Sequence, residues 1–162
     1  MNRYVKMDIR GIKMPNIFLI MGNPNAGKSR TIRSLTGVSR RRSRCYQVET
    51  RSGIIDIYIQ LDSIQEEGKT PKEFIDYIKN NYNNIQNIFV GVWISYGDMP
   101  PGVDYIQAFL NEGWNVNQIV VLGANNIVNL PQNMPQPHYI PDSRSLPSNT
   151  IASRIRQWWQ WL

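Results

Sequence analysis

The stretch NIFLIMGNPNAGKSRTIRSLTG, residues 16–37, constrains the fold of this chain more than any other. Ile17 to Met21 is a continuous apolar run of strand length ending at Gly22, the pattern of a strand buried on both faces of a parallel sheet. From Lys28 the apolar period changes. Ile32 and Leu35 share one helical face, and Gly37 is placed to cap the C-terminus of that helix. Strand, glycine-bounded loop and helix therefore follow one another directly.

The loop between them, Gly22 to Ser29, reads GNPNAGKS and matches G-x-x-x-x-G-K-[ST] at every fixed position. Gly22 and Gly27 let the backbone turn back on itself, so that the N–H groups of Gly22, Asn23, Pro24's neighbours Asn25 and Ala26, and Gly27 face inward; the helix start adds its positive dipole end. Such a loop is expected to cradle phosphates. Lys28 is expected to reach the β- and γ-phosphate oxygens, and the Ser29 hydroxyl to ligate Mg²⁺. Pro24 belongs to the cradle by its position in the motif, and Arg30 by its place in the first helical turn.

The rest of the chain keeps alternating strand and helix patterns. The segment VSRRRSRC places Arg40, Arg41, Arg42 and Arg44 in the densest positive cluster of the chain, with no apolar period, and reads as a solvated loop. CYQVET, RSG and IIDIYIQLD predict a hairpin with Ile55, Ile57, Ile59 and Leu61 on one face. PKEFIDYIKNNY predicts a helix burying Phe74, Ile75, Ile78 and Tyr82. NIFVGVWIS, residues 87–95, predicts a central strand. VDYIQAFLNEGW predicts a helix with Val103, Ile106, Phe109 and Leu110 inward, and QIVVLG another buried strand ending at Gly123.

Beyond that point five prolines, Pro131, Pro135, Pro137, Pro141 and Pro147, argue for a loop. His138 lies within it without a second metal-type ligand at a usable spacing, so it is expected at the surface. Asp142 and Arg144 follow, and a long loop after a last strand can carry binding residues. SNTIASRIRQWWQWL predicts a closing helix capped by Ser148 or Asn149, with Ile151, Ile155, Trp158 and Leu162 inward and Trp161 facing outward towards a partner. The alternation as a whole predicts an α/β layered sheet in one domain over residues 1–162.

Composition bounds the function. With 162 residues, 41% hydrophobic and 19% charged, the chain has the make-up of a globular domain rather than a disordered or fibrous one. A lone cysteine, Cys45, forms no internal disulfide and fits a reducing, cytoplasmic setting. No apolar run reaches the length of a membrane span, and the charged N-terminus does not read as a signal peptide. The net charge of +6 favours anionic partners, which include nucleotides, phosphorylated substrates and nucleic acid.

On the residues GNPNAGKS and SLTG, the chain resembles the P-loop NTPase superfamily, and locally the first motif of translation-factor-type GTPases. The hairpin at CYQVETRSGIIDIYIQLD resembles, in placement, the antiparallel pair that follows the switch region of Ras-like GTPases. The resemblance implies a three-layer P-loop NTPase-like α/β fold, with a mostly parallel sheet, one antiparallel hairpin strand and helices on both faces. It also implies that Asp62, at the end of an alternating strand, is the second Mg²⁺-site acid and a catalytic residue beside Lys28, with Asp98 as the rival acid. An arginine among Arg40 to Arg44 would then be available to a γ-phosphate or to a nucleic-acid backbone. The D-x-x-G and N-K-x-D signatures are not found: Ser63, Ile64 and Gln65 follow Asp62, and LGANN stands where the second would fall. The base therefore leans to ATP over GTP.

Three functions are compatible with this pattern. The first is Mg²⁺-dependent binding of a nucleoside triphosphate with hydrolysis; the second is a small-molecule or nucleotide kinase; the third is a non-catalytic, nucleotide-dependent nucleic-acid-binding module. For the first, no glutamine or glutamate stands out in the sequence as the residue that orients water.

Overall fold

A computed structural model describes residues 14–37 and 43–162. They form a six-stranded, mostly parallel sheet with four α-helices. The strands are β1 (Asn16–Met21), β2 (Arg44–Thr50), β3 (Gly53–Ile59), β4 (Asn87–Val92), β5 (Asn115–Leu122) and β6 (His138–Ile140). The helices are α1 (Lys28–Thr36), α2 (Pro71–Asn81), α3 (Gly102–Asn111) and α4 (Ser148–Trp159), and a 3-10 turn covers Ser143–Ser145. Strand order is β2-β3-β4-β1-β5-β6; only the β2–β3 hairpin is antiparallel.

Each strand sends alternate residues to opposite faces, and two cores result. Ile17, Leu19 and Met21 of β1 pack with Phe74, Ile78, Ile106 and Phe109 of α2 and α3. Phe18 and Ile20 face the other way, towards Ile32 and Leu35 of α1 and Ile151 and Ile155 of α4. β1 is buried almost throughout, as its unbroken apolar sequence requires. Helix α2 starts at a full capping box: the Thr70 hydroxyl accepts from the Glu73 amide, and the Glu73 carboxylate accepts from the Thr70 amide.

Several elements differ from the sequence reading. A short strand, β6, interrupts the proline-rich segment and pairs with β5 at the sheet edge, where Pro135, Pro137 and Pro141 outside its three residues cost it no ladder bond. Helix α3 buries Tyr105 as well as Ile106 and Phe109, while Val103 and Leu110 are only partly covered. In α4 the Trp159 side chain, not Trp158, continues the stripe of Ile151 and Ile155; Pro147 takes the N-cap position in place of Ser148 or Asn149, and Leu162 is exposed. Gln160 adopts a left-handed conformation, φ 58°, that ends the helix and turns Trp161 back onto the sheet. There Trp161 is buried against Phe18, Phe89 and Trp159, and pairs with Thr50 of β2, so it has no outward face to offer a partner.

The chain leaves β1 through α1 towards the β2–β3 side, whereas β5 leads away to β6. At such a reversal the loops at the carboxyl ends of neighbouring strands part and leave a crevice. Gly22–Ser29, Gly123 and the turn at Ser143 all lie at that end of the sheet.

Candidate functional site

The loop Gly22–Gly27 is held by its own backbone and by both neighbouring strands. The Gly22 amide donates to Val92 at the end of β4 (3.0 Å), and Ala26 closes the turn on the Asn23 carbonyl (3.0 Å). Gly22 has no room for a side chain: a Cβ there would stand 2.9 Å from the Ala26 Cβ and 3.3 Å from the Leu122 carbonyl oxygen. Gly27 takes φ 95° as the N-cap of α1, a conformation that glycine adopts without strain. No side chain caps this helix, so its first-turn N–H groups lack intrahelical acceptors.

Lys28 opens α1 and is nearly buried, its Nζ donating to the Asn23 carbonyl at 3.2 Å. Its stem crosses β4 at Gly91, where an added Cβ would sit 3.7 Å from the lysine Cδ. Burial pushes the ammonium down to about 8, while the charge of Glu66 works in the opposite direction. The Ser29 hydroxyl donates to the Leu61 carbonyl at 3.2 Å, which brings the residue preceding Asp62 against the helix start. The Asp62 side chain itself is exposed.

Glu66 is the acidic neighbour that sequence reading missed. It follows β3 by several residues, in a polar stretch with no motif, and only the fold brings it to Lys28. Its carboxylate accepts from the Trp93 indole N–H at 3.3 Å. The preceding residue, Gln65, is buried and pairs with the backbone of Trp93 in both directions: it accepts from the Trp93 amide (3.0 Å) and donates to the Trp93 carbonyl and to Pro100 (3.3 Å each). Asn23, from the loop, accepts the next two amides, Ile94 (3.1 Å) and Ser95 (3.0 Å), on its side-chain oxygen.

Lys28 and Glu66 border a cavity of about 420 Å³, lined also by Ser29, Arg30, Ser143 and Arg144 among others. Among the described residues of this lining, Lys28, Arg30 and Arg144 are set against one carboxylate, Glu66, at the start of a helix, a charge balance that favours anions. Ser143 is buried and donates to the Ala26 carbonyl at 3.0 Å, fastening the late turn to the loop. Arg144 lines the same cavity as Lys28; Asp142 is exposed beside it. A larger hollow of about 710 Å³ lies between the hairpin and the segment before β4; among the described residues that line it, Asp56 alone is charged.

Other sequence candidates stand apart. Arg40, Arg41 and Arg42 lie outside the described residues; Arg44 is exposed on β2, its guanidinium 5.1 Å from the Tyr46 ring centre. Asp98 is exposed in the turn before α3. His138 is half-buried on β6 and stacks on Trp158 at 4.2 Å, and burial lowers its pKa. Among the described residues no three His, Cys, Asp or Glu side chains cluster as a metal site, and no helix is long and apolar enough to cross a membrane.

Compared with protein families, curated proteins and solved structures, the chain matches none. The α/β class rests on the sheet order and helix packing above, and the reading of the site on its own chemistry.

Proposed function

We propose that this protein binds a nucleoside triphosphate with Mg²⁺ through a P-loop formed by Gly22 to Ser29, and hydrolyses it to the diphosphate and phosphate. The observation that carries this reading is the burial of Lys28 at an uncapped helix N-terminus, against a loop whose Gly22 has no room for a side chain. A buried ammonium is costly without a counter-charge, and phosphate oxygens supply one. Lys28, the loop amides and Arg30 bind the phosphates. The hydroxyl of Ser29 and the carboxylate of Asp62 are hard oxygen donors of the kind Mg²⁺ takes, and they would hold it where it neutralises charge on the phosphate oxygens. Glu66, in the lining of the same cavity as Lys28, is the group that orients the attacking water and accepts its proton. Arg144, in the lining of the same cavity, would be available to the base, with ATP favoured over GTP by the missing guanine signatures.

The test is calorimetric titration with non-hydrolysable ATP and GTP analogues, with and without Mg²⁺, on the wild-type chain and Lys28→Ala. Metal-dependent binding that Lys28→Ala abolishes in a folded protein is expected; equal binding by the two chains would sink the site. Release of inorganic phosphate, with no labelled acceptor formed, separates hydrolysis from kinase activity.

A further inference from the structure

The groups around Lys28 form a ring that no single motif contains, joined by hydrogen bonds except between Glu66 and Lys28, which line the same cavity and act on each other through charge. Lys28 bonds the carbonyl of Asn23; the Asn23 side chain holds the amides of Ile94 and Ser95; the neighbouring Trp93 is gripped through its backbone by Gln65; and the Trp93 indole bonds Glu66, whose charge acts on Lys28. Three separate segments meet here: the loop after β1, the segment after β3 and the turn after β4. Of the groups in the ring only Lys28 and Glu66 carry charge, so the amide links hold the frame at any ionic strength.

The frame leaves one degree of freedom open. A glutamate side chain has three rotatable bonds, and Glu66 is an exposed residue, so its backbone position alone does not aim its carboxylate. The bond from the indole fixes that direction, and the indole is itself fixed at its backbone by Gln65 and by Asn23 one residue on. Tyr96 adds an edge contact to the Trp93 ring at 5.2 Å.

We propose that Trp93 is a positioning residue: its indole N–H aims the Glu66 carboxylate at the space beyond Lys28, and the Asn23 side chain ties that aim to the phosphate-binding loop. This inference rests on the hydrolysis reading given above. It assigns Trp93 no contact with nucleotide or water; it acts only through Glu66.

The experiment is a double-mutant cycle on the full chain, with Trp93→Phe, Glu66→Gln and the two combined, reading the Mg²⁺-dependent kcat for ATP and GTP alongside the Kd of the non-hydrolysable analogues. Phe keeps an aromatic ring beside Tyr96 but removes the N–H together with the pyrrole half of the indole, a loss of packing that the comparison with the combined variant separates from the loss of the bond to Glu66. Trp93→Phe is expected to lower kcat about tenfold, the effect of one hydrogen bond to a charged group, with Kd changed less than about twofold. In the combined variant kcat should equal that of Glu66→Gln alone, because an interaction routed through Glu66 has nothing left to lose. An unchanged kcat in Trp93→Phe, or losses that multiply, overturns the inference while leaving the hydrolysis reading intact. A wild-type chain that binds nucleotide without turnover, or binds none, overturns that reading and the inference with it.

Discussion

The Ser143 hydroxyl donates to the carbonyl of Ala26 at 3.0 Å, across a separation of 117 residues. The bond is buried and ties the turn that carries Arg144 to the loop that precedes Lys28. Ser143→Ala leaves the Ala26 carbonyl without that donor and should cost about 1–3 kcal/mol of stability. Urea unfolding measures this. If Arg144 reaches the bound nucleotide through this tie, the same variant also weakens analogue binding; an unchanged Kd would separate the turn from the site.

Lys28 makes two predictions of opposite sign. Its pKa lies at about 8 in the folded chain, below the ordinary 10.5, so between those values the unfolded chain binds more protons. The nucleotide-free protein should therefore gain stability as pH rises from about 8 to 10.5, and Lys28→Met should flatten that rise. Phosphate binding needs the ammonium, so affinity should be level below that pKa and fall above it. Thermal unfolding and analogue titration over the same pH series check both limbs.

Gly22 tests how tightly the loop is built. An alanine there brings its Cβ within 2.9 Å of Ala26 and 3.3 Å of the Leu122 backbone, and the backbone atom cannot rotate away. Gly22→Ala should lower stability by about 1–3 kcal/mol and abolish nucleotide binding, because the amides move with the loop. Retained affinity would show that the loop relaxes without losing its shape.

Trp161 should behave as a core residue although it stands near the end of the chain. It is 4% exposed and lies 5.1 Å from the Phe18 ring centre. Trp161→Ala should cost about 3–5 kcal/mol, measured by denaturant unfolding. A loss below 1 kcal/mol, the level of an ordinary surface change, would contradict the packing.

Much of the fold was legible because its signals are local. The helix from Lys28 to Thr36, with Gly37 after it, follows from period and cap alone; α2 follows from Pro71 in its first turn and the spacing of Phe74, Ile75 and Ile78. The alternation of Ile55, Ile57, Ile59 and Leu61 marked the residues that share one face, and the fold places that face in the core with α1 and α4. β6 escaped notice because three residues between prolines carry too little pattern. Trp158 and Trp159 satisfy helical spacing almost equally from Ile155, so period could not choose between them; Trp161 escaped because the left-handed Gln160 takes it off the helix altogether.

By itself, then, the sequence determined the G-x-x-x-x-G-K-[ST] pattern at Gly22 to Ser29, its place between a strand and a helix, and the alternation that makes an α/β sheet. Only the tertiary structure decided what surrounds Lys28. β4 lies between β1 and β3, which sets Trp93 between the Asn23 and Gln65 side chains and brings Glu66 to the lysine; β5 and β6 on the other side bring Ser143 and Arg144. The physical reason is range: capping, turns and periodicity act within a few residues, whereas these neighbours meet only because strand order brings distant loops to one end of the sheet.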